Sequence, residues 1–473
     1  MGACPQESAK GRDRGKPTPR PRRYARRHAR HPHTPGRDRT RARGDACPGA
    51  LRLHAADDGA LARVRLPAGL LTIRQAAELA ALAEELGDGN LGITSRGNIQ
   101  LRALPAGSGG ELGDRLRAAG LLPSDRHERV RNIAASPLHG LDGTGHADVG
   151  AWSRELDVLL CADDEVTALS GRFLFGLDDG RGDIAALIPD VTLIAEPDGR
   201  TAVLCYAAEG PGLRVPAADA PRAAVLAARH FLTGTEAGRD GTAWRVTELP
   251  AGRRPDVTAL AAVLAHAGVT AVPTAVPATR SAAPAPGPVS GPHGRTALSV
   301  AAPLGRLTAG QWRLLIAAAE AGDGELRVTP WRGVVVPGLA DADAAAARLA
   351  GLADAGLVVS AASPWYGAGA CAGRPGCAKS RADVRADATA ALTGTRPGGT
   401  GGLPVYWSGC ERRCGHPGGR WVDVLAVDDG YRVAVRTGGA EAEGGVHSVA
   451  VATSGLPGAV AAARSGPDGD GTM

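Results

Sequence analysis

"LARVRLPAGLLTIRQAAELAALAEELGDGNLGITSRGNIQLRAL" at residues 61–104 decides the fold, because its pattern returns as "LSVAAPLGRLTAGQWRLLIAAAEAGDGELRVTPWRGVVVPGL" at residues 298–339. Each copy reads as a strand, a Pro/Gly turn, a Leu-Thr helix start, an amphipathic helix, a Gly-Asp-Gly exit and a second strand with an Arg-Gly pair. That order is a β-α-β unit, and its return far along the chain predicts an α+β fold of two pseudo-repeated halves. Thr72 and Thr308 each stand where a side-chain oxygen can cap the free N–H groups opening a helix. Leu79, Leu82, Ala83 and Leu86 recur at helical spacing, which predicts a buried face. Residues 91–102 read as one strand, and alternation along it places Arg96, Asn98, Gln100 and Arg102 on a common face.

Outward from the repeats, 473 residues allow two to four domains. Residues 1–45 form an Arg-rich stretch expected to be disordered, with a nucleic-acid arm or a transit-type leader as the functional alternatives. Regions 46–120 and 295–358 hold the two β-α-β copies, 121–270 carries mixed strand and helix signals, and 271–294 is Pro/Ala-rich and reads as a semi-rigid linker. A second α+β region spans 359–460, and 461–473 is expected to fray. The net charge of +5 hides an asymmetry: residues 1–45 hold 14 Lys or Arg against 4 Asp or Glu, leaving 40 against 45, or −5, on the remaining 428 residues. A mildly acidic body argues against nucleic-acid binding. No run of about 18 apolar residues offers a membrane span, and no secretory leader opens the chain, so the expected location is the cytoplasm.

Eight cysteines are too few for a disulfide-stapled fold of this length. Four fall into two Gly-flanked pairs, Cys371-x5-Cys377 and Cys410-x3-Cys414, while Cys4, Cys47, Cys161 and Cys205 are scattered. Two short loops can bring four thiolates around a 4Fe-4S cluster, and glycines let backbone N–H groups approach its sulfides. Structural zinc is the competing reading, but its ligand pairs are usually closer in sequence than Cys-x5-Cys.

These spacings resemble those of the sulfite and nitrite reductase superfamily, which binds a 4Fe-4S cluster through Cys-x5-Cys and a later Cys-x3-Cys. "ITSRGNIQLR" (93–102) is similar to that family's Thr-x-Arg-x-x-x-Gln strand, "VRNIAASP" (130–137) to its Arg-Asn turn, and the two repeats to its ferredoxin-like half-domains. The resemblance implies two halves, each a ferredoxin-like half-domain followed by a mixed α/β domain of nitrite/sulfite reductase type, with the cluster on Cys371, Cys377, Cys410 and Cys414. "DACPGALRLH", "RNIAASPLHGLD", "GRFLFGLDDGRGD" and "YWSGCERRCGHP" resemble the precorrin-3B synthase branch. Where the reductases carry Lys-x-Lys facing sirohaem, this chain reads Arg172-Phe173-Leu174. The branch implies oxygen-dependent hydroxylation of precorrin-3A with lactone formation, in aerobic cobalamin synthesis. It further implies an external electron donor, a ferredoxin or an NAD(P)H-linked reductase, and a second iron, non-haem or sirohaem. A sirohaem-dependent sulfite or nitrite reductase and a non-catalytic tetrapyrrole or cluster carrier are the alternatives.

A tetrapyrrole bearing about eight carboxylates needs fixed cations, and the guanidinium fork suits carboxylates. Arg96, Asn98, Gln100, Arg102 and Arg131 are therefore the expected substrate contacts, and Arg96, Arg131 and Arg172 the expected catalytic residues. A merely solvated strand face is the bland alternative. His139, His146 and His416 are candidate iron ligands, and Asp142 is expected to form a turn.

Overall fold

The computed structural model describes residues 45, 47–234, 243–278, 283–393, 402–437 and 448–465, and the tails expected at 1–45 and 461–473 fall largely outside them. The first repeat is β1 (His54–Ala56), β2 (Gly59–Val64), β3 (Leu70–Thr72), α1 (Ile73–Glu85), β4 (Asn90–Ile93), β5 (Ile99–Leu104) and α2 (Gly109–Ala118). Thr72 caps α1 in a reciprocal box with Gln75, as expected. The single strand expected at 91–102 does not form. Thr94 Oγ1 accepts from the Arg96 and Asn98 N–H groups, and Gly97 takes φ +68°, so the chain turns back on itself between β4 and β5.

A mixed region follows, with β6 (Ile133–Ala135), α3 (Val149–Cys161), β7 (Phe175–Asp178), β8 (Val191–Ala195), β9 (Thr201–Tyr206), β10 (Pro211–Pro216), α4 (Ala220–Gly234), α5 (Val257–His266) and β11 (Val272–Ala275). Its six strands form one sheet in the order β11-β10-β9-β8-β7-β6. The stretch expected as a linker therefore starts with a strand paired to β10 and, through β12 (Gly287–Ser290), ends with one paired to the second repeat, with 279–282 outside the described residues.

The second repeat continues through β13 (Thr296–Ala301), β14 (Arg306–Thr308), α6 (Ala309–Glu320), β15 (Glu325–Val328), β16 (Gly333–Leu339) and α7 (Ala342–Asp354). Thr308 and Gln311 repeat the capping box, and Gln311 Nε2 reaches Ala355 O as Gln75 Nε2 reaches Ala119 O. The two repeats exchange strands: β14 joins the first sheet beside β4, and β3 joins the second beside β15. One apolar core serves both, with Trp312 fully buried and its Nε1 donating to Ala76 O at 2.8 Å. The fold is thus α+β with the pseudo-repeat that the sequence implied. The C-terminal region holds β17 (Ala368–Ala370), α8 (Val384–Thr393), β18 (Val405–Ser408), β19 (Arg420–Val427), β20 (Gly430–Thr437), β21 (Ser448–Val451) and α9 (Leu456–Arg464), its strands paired in numerical order.

Candidate functional site

The parallel strands β17 and β18 end side by side, and each runs directly into a cysteine loop. Cys371 follows β17, with its N–H bonded to Trp407 O at 3.0 Å, and Cys410 follows β18 after Gly409. Gly409 lies against Ser380, where a Cβ would stand 1.9 Å from Ser380 Oγ, so only glycine lets the two loops close on each other. In that position the Gly409 N–H donates to Cys371 Sγ at 3.3 Å. Cys371, Cys377 and Cys410 are half-buried and Cys414 is exposed. Burial pushes the Cys414 thiol up, opposed by Arg412 and reinforced by the facing Cys410, Cys371 and Cys377, so all four cysteines share one neighbourhood. No three of their sulfurs lie within 4.8 Å of one another among the described residues. Thiolates on tetrahedral zinc stand only about 3.8 Å apart, so the arrangement is more open than a zinc site.

Cys371 and Cys414 line a cleft of about 1310 Å³ whose other walls come from both repeats. Ten arginines line it, against three aspartates. Arg102 is paired with Asp58 and Arg306 with Asp88, at 2.8 and 2.7 Å, and Arg172 stands 4.0 Å from Glu248. The other seven, Arg63, Arg65, Arg96, Arg332, Arg374, Arg385 and Arg412, have no carboxylate partner among the described residues. Arg65 Nη1 and Arg63 Nε are buried without any hydrogen-bond partner. Burial pushes the Arg65 guanidinium down to about 9, helped by the like charges of Arg63 and Arg96. It likewise pushes Arg96 and Arg385 down to about 10. All three remain cations at neutral pH, held at an electrostatic cost that a polyanion would relieve.

Of the residues expected to contact substrate, Arg96, Gln100 and Arg102 line this cleft, as does Arg172. Asn98 does not. It is 1% exposed, its Oδ1 accepts from Leu66 N–H at 2.9 Å and its Nδ2 donates to Asn132 Oδ1 at 3.0 Å, so the turn directs it inward to join three segments. Arg131 lines a separate pocket of about 260 Å³, where Asp157 holds it by two bonds of 2.6 and 2.7 Å and Leu121 O takes a third. With its fork already filled by a carboxylate, it is a structural ion pair and not a free anion contact. None of the three histidines lines the cleft: His139 is buried on Ser136 O, His146 sits beside Gly180, and His416 stacks on Trp421 at 5.2 Å. Asp142 does form the expected turn, accepting from Thr144 N–H, and also pairs with Arg181. Phe173 and Leu174 are 1% and 4% exposed, facing the core and leaving Arg172 alone at the cleft.

Sequence reasoning missed Arg63 and Arg65, whose signal was a pair of arginines alternating within an apolar strand. It also missed Arg332, which occupies the same turn of the second repeat as Arg96 does of the first.

The sequence signature described as Nitrite/Sulfite reductase ferredoxin-like half domain matches residues 54–119 and again 290–351. A ferredoxin–nitrite reductase of Synechococcus elongatus is 35% identical over 127 residues, which span 26% of this chain and 25% of that protein. A precorrin-3B synthase of a Sinorhizobium species is 26% identical over 407 residues, 83% of each chain. The solved structure of Mycobacterium tuberculosis NirA superposes with a TM-score of 0.61 at 20% identity, covering 84% of this chain and 79% of that one, a likeness of fold. No helix among the described residues is long and apolar enough to cross a membrane. The chain thus carries two copies of the nitrite/sulfite reductase ferredoxin-like half domain, which exchange strands with each other.

Proposed function

We propose that the chain is an oxygen-dependent iron-sulfur oxidoreductase of the precorrin-3B synthase type, hydroxylating precorrin-3A and closing a lactone on it. The observation that carries this reading is the cleft's seven arginines without carboxylate partners beside two cysteine loops. A small oxyanion such as sulfite needs two or three cations, whereas a tetrapyrrole with about eight carboxylates needs a distributed set. The relative covering 83% of the chain acts on such a molecule by name.

Cys371, Cys377, Cys410 and Cys414 would hold a 4Fe-4S cluster, to which the Gly409 N–H aimed at Cys371 Sγ is suited. When bound, that cluster passes single electrons from an external donor, a ferredoxin or an NAD(P)H-linked reductase. Arg63, Arg65 and Arg96 bind substrate carboxylates, each through N–H groups with few competing partners. Gln100, which accepts from Arg63 Nη2 at 3.4 Å, keeps that guanidinium turned along the wall. Arg172, stacked over Trp244 at 5.7 Å, is placed to orient a further carboxylate, including the acetate arm whose oxygen closes the lactone. A second iron, non-haem or sirohaem, belongs to this reading without an assigned ligand set, since none of His139, His146 and His416 reaches the cleft.

Incubation of anaerobically purified protein with precorrin-3A, a reductant and either oxygen or sulfite tests the proposal. Oxygen-dependent gain of one hydroxyl and a lactone, read by mass spectrometry, supports it. Consumption of sulfite or nitrite moves the chain to the reductases, and stoichiometric binding without turnover makes it a carrier.

A further inference from the structure

Three cleft arginines also grip the cysteine loops. Arg385 donates to the carbonyl of Ala370, which precedes Cys371, at 3.3 Å, and Arg102 donates to that of Gly376, which precedes Cys377, at 2.7 Å. Arg332 donates to the carbonyl of Gly415, which follows Cys414. The three come from different parts of the fold: β5, the β15–β16 turn and α8. Arg102 is neutralised by Asp58, but among the described residues Arg332 and Arg385 meet only carbonyls and an aromatic ring.

Arg332 is the most tightly specified. Its guanidinium lies over the Tyr406 ring at 5.3 Å, and the Tyr406 hydroxyl donates to Cys414 O at 2.7 Å. Its backbone takes φ +59°, whereas the matching turn of the first repeat gives its left-handed position to Gly97, at +68°. A side chain kept where glycine would be easier points to a use for that side chain.

We propose that Arg332 and Arg385 couple the charge of the ligand in the cleft to the redox equilibrium of the group on the cysteines, so that a bound polycarboxylate makes that group harder to reduce. The proposal rests on the function proposed above. Cations beside the cysteine loops favour the reduced, more negative state, and carboxylates that pair with them cancel that help. Coupling is reciprocal, so the ligand binds the oxidised protein more tightly than the reduced one. One charge roughly 10 Å away at an effective dielectric of about 20 is worth roughly tenfold. For a one-electron couple, tenfold corresponds to about 59 mV. An electron taken up before the substrate arrives is thus a weak reductant, and becomes a stronger one when the cleft fills.

The test uses the full chain with its iron-sulfur group, titrated through mediator dyes and followed by the electron paramagnetic resonance of the reduced state. Titrations run with and without uroporphyrin, an octacarboxylate tetrapyrrole. The midpoint is expected to fall by about 59 mV, or tenfold, when uroporphyrin binds. In Arg332→Gln the ligand-free midpoint falls and the response to uroporphyrin shrinks, while Arg332→Lys keeps most of both. Arg385→Gln supplies an independent variant should Arg332→Gln not load iron. Uroporphyrin that binds without moving the midpoint, or a shift undiminished in both glutamine variants, overturns the coupling and leaves the proposed function standing. A chain without iron and sulfide, or one that ignores uroporphyrin, overturns both.

Discussion

Replacing Arg96 by Met should stabilise the ligand-free protein while weakening its grip on an anionic tetrapyrrole. The Arg96 side chain makes no hydrogen bond among the described residues, so its removal strands no partner. Burial, and then the like charge of Arg245, holds its guanidinium at about 10 instead of 12.5, with Asp190 returning part of the loss. At about 1.4 kcal/mol per pH unit the charge costs about 3 kcal/mol, and solvent reaching the cleft wall reduces that to about 1–2 kcal/mol of net stabilisation on removal. A chain of this size should then melt roughly 1–2 °C higher. The same substitution removes one charge-assisted carboxylate contact, worth about 1.5–3 kcal/mol, so uroporphyrin should bind roughly 10- to 150-fold more weakly. Differential scanning fluorimetry reads the first effect and a fluorescence-quenching titration the second. A variant that melts lower without ligand, or whose affinity changes less than twofold, refutes the assignment of Arg96 as an unspent cation.

Other expectations follow from the same contacts. Cys410→Ser should lose iron, sulfide and the brown absorbance near 400 nm, whereas Cys205→Ser, buried 1% exposed in the mixed sheet, should keep them. Burial and the adjacent Asp178 raise the Asp183 carboxyl to about 7, so the folded chain holds a proton that the unfolded chain has released above about 4. Stability should therefore fall as pH rises from about 4 to 7. Asp183→Asn should flatten that slope and raise the melting point at pH 8, because Asn Oδ1 can still accept from Ser136 Oγ and Ile184 N–H. Trp312→Ala should cost about 3–5 kcal/mol in a denaturant titration, since it empties the core shared by the two repeats and removes the indole bond to Ala76 O.

The local part of the fold was legible because it is written locally. Thr72 with Gln75 and Thr308 with Gln311 cap their helices three residues apart, and the apolar spacing of α1 matches its buried face. The exchange of β3 and β14 was not legible, since three-residue strands carry no periodicity and their partners lie more than 200 residues away. The cysteine pairs were readable from spacing and flanking glycine. The contact face differs from the one that strand alternation predicts because 91–102 is not one strand. Thr94 and Gly97 fold it into a hairpin, which keeps Arg96, Gln100 and Arg102 on the cleft but turns Asn98 inward. Arg131 could not be sorted from sequence, because its meaning depends on Asp157, supplied by a helix packed beside it.

Iron, acid-labile sulfide and sirohaem, quantified per chain after anaerobic purification, test the central claim most directly. Roughly four sulfides with four or five irons per chain are expected, the fifth being the second iron in non-haem or sirohaem form, without consumption of sulfite or nitrite. A chain that carries zinc or no sulfide would contradict the cluster site on the cysteine loops, and stoichiometric sirohaem together with consumption of sulfite or nitrite would contradict the synthase reading of the cleft.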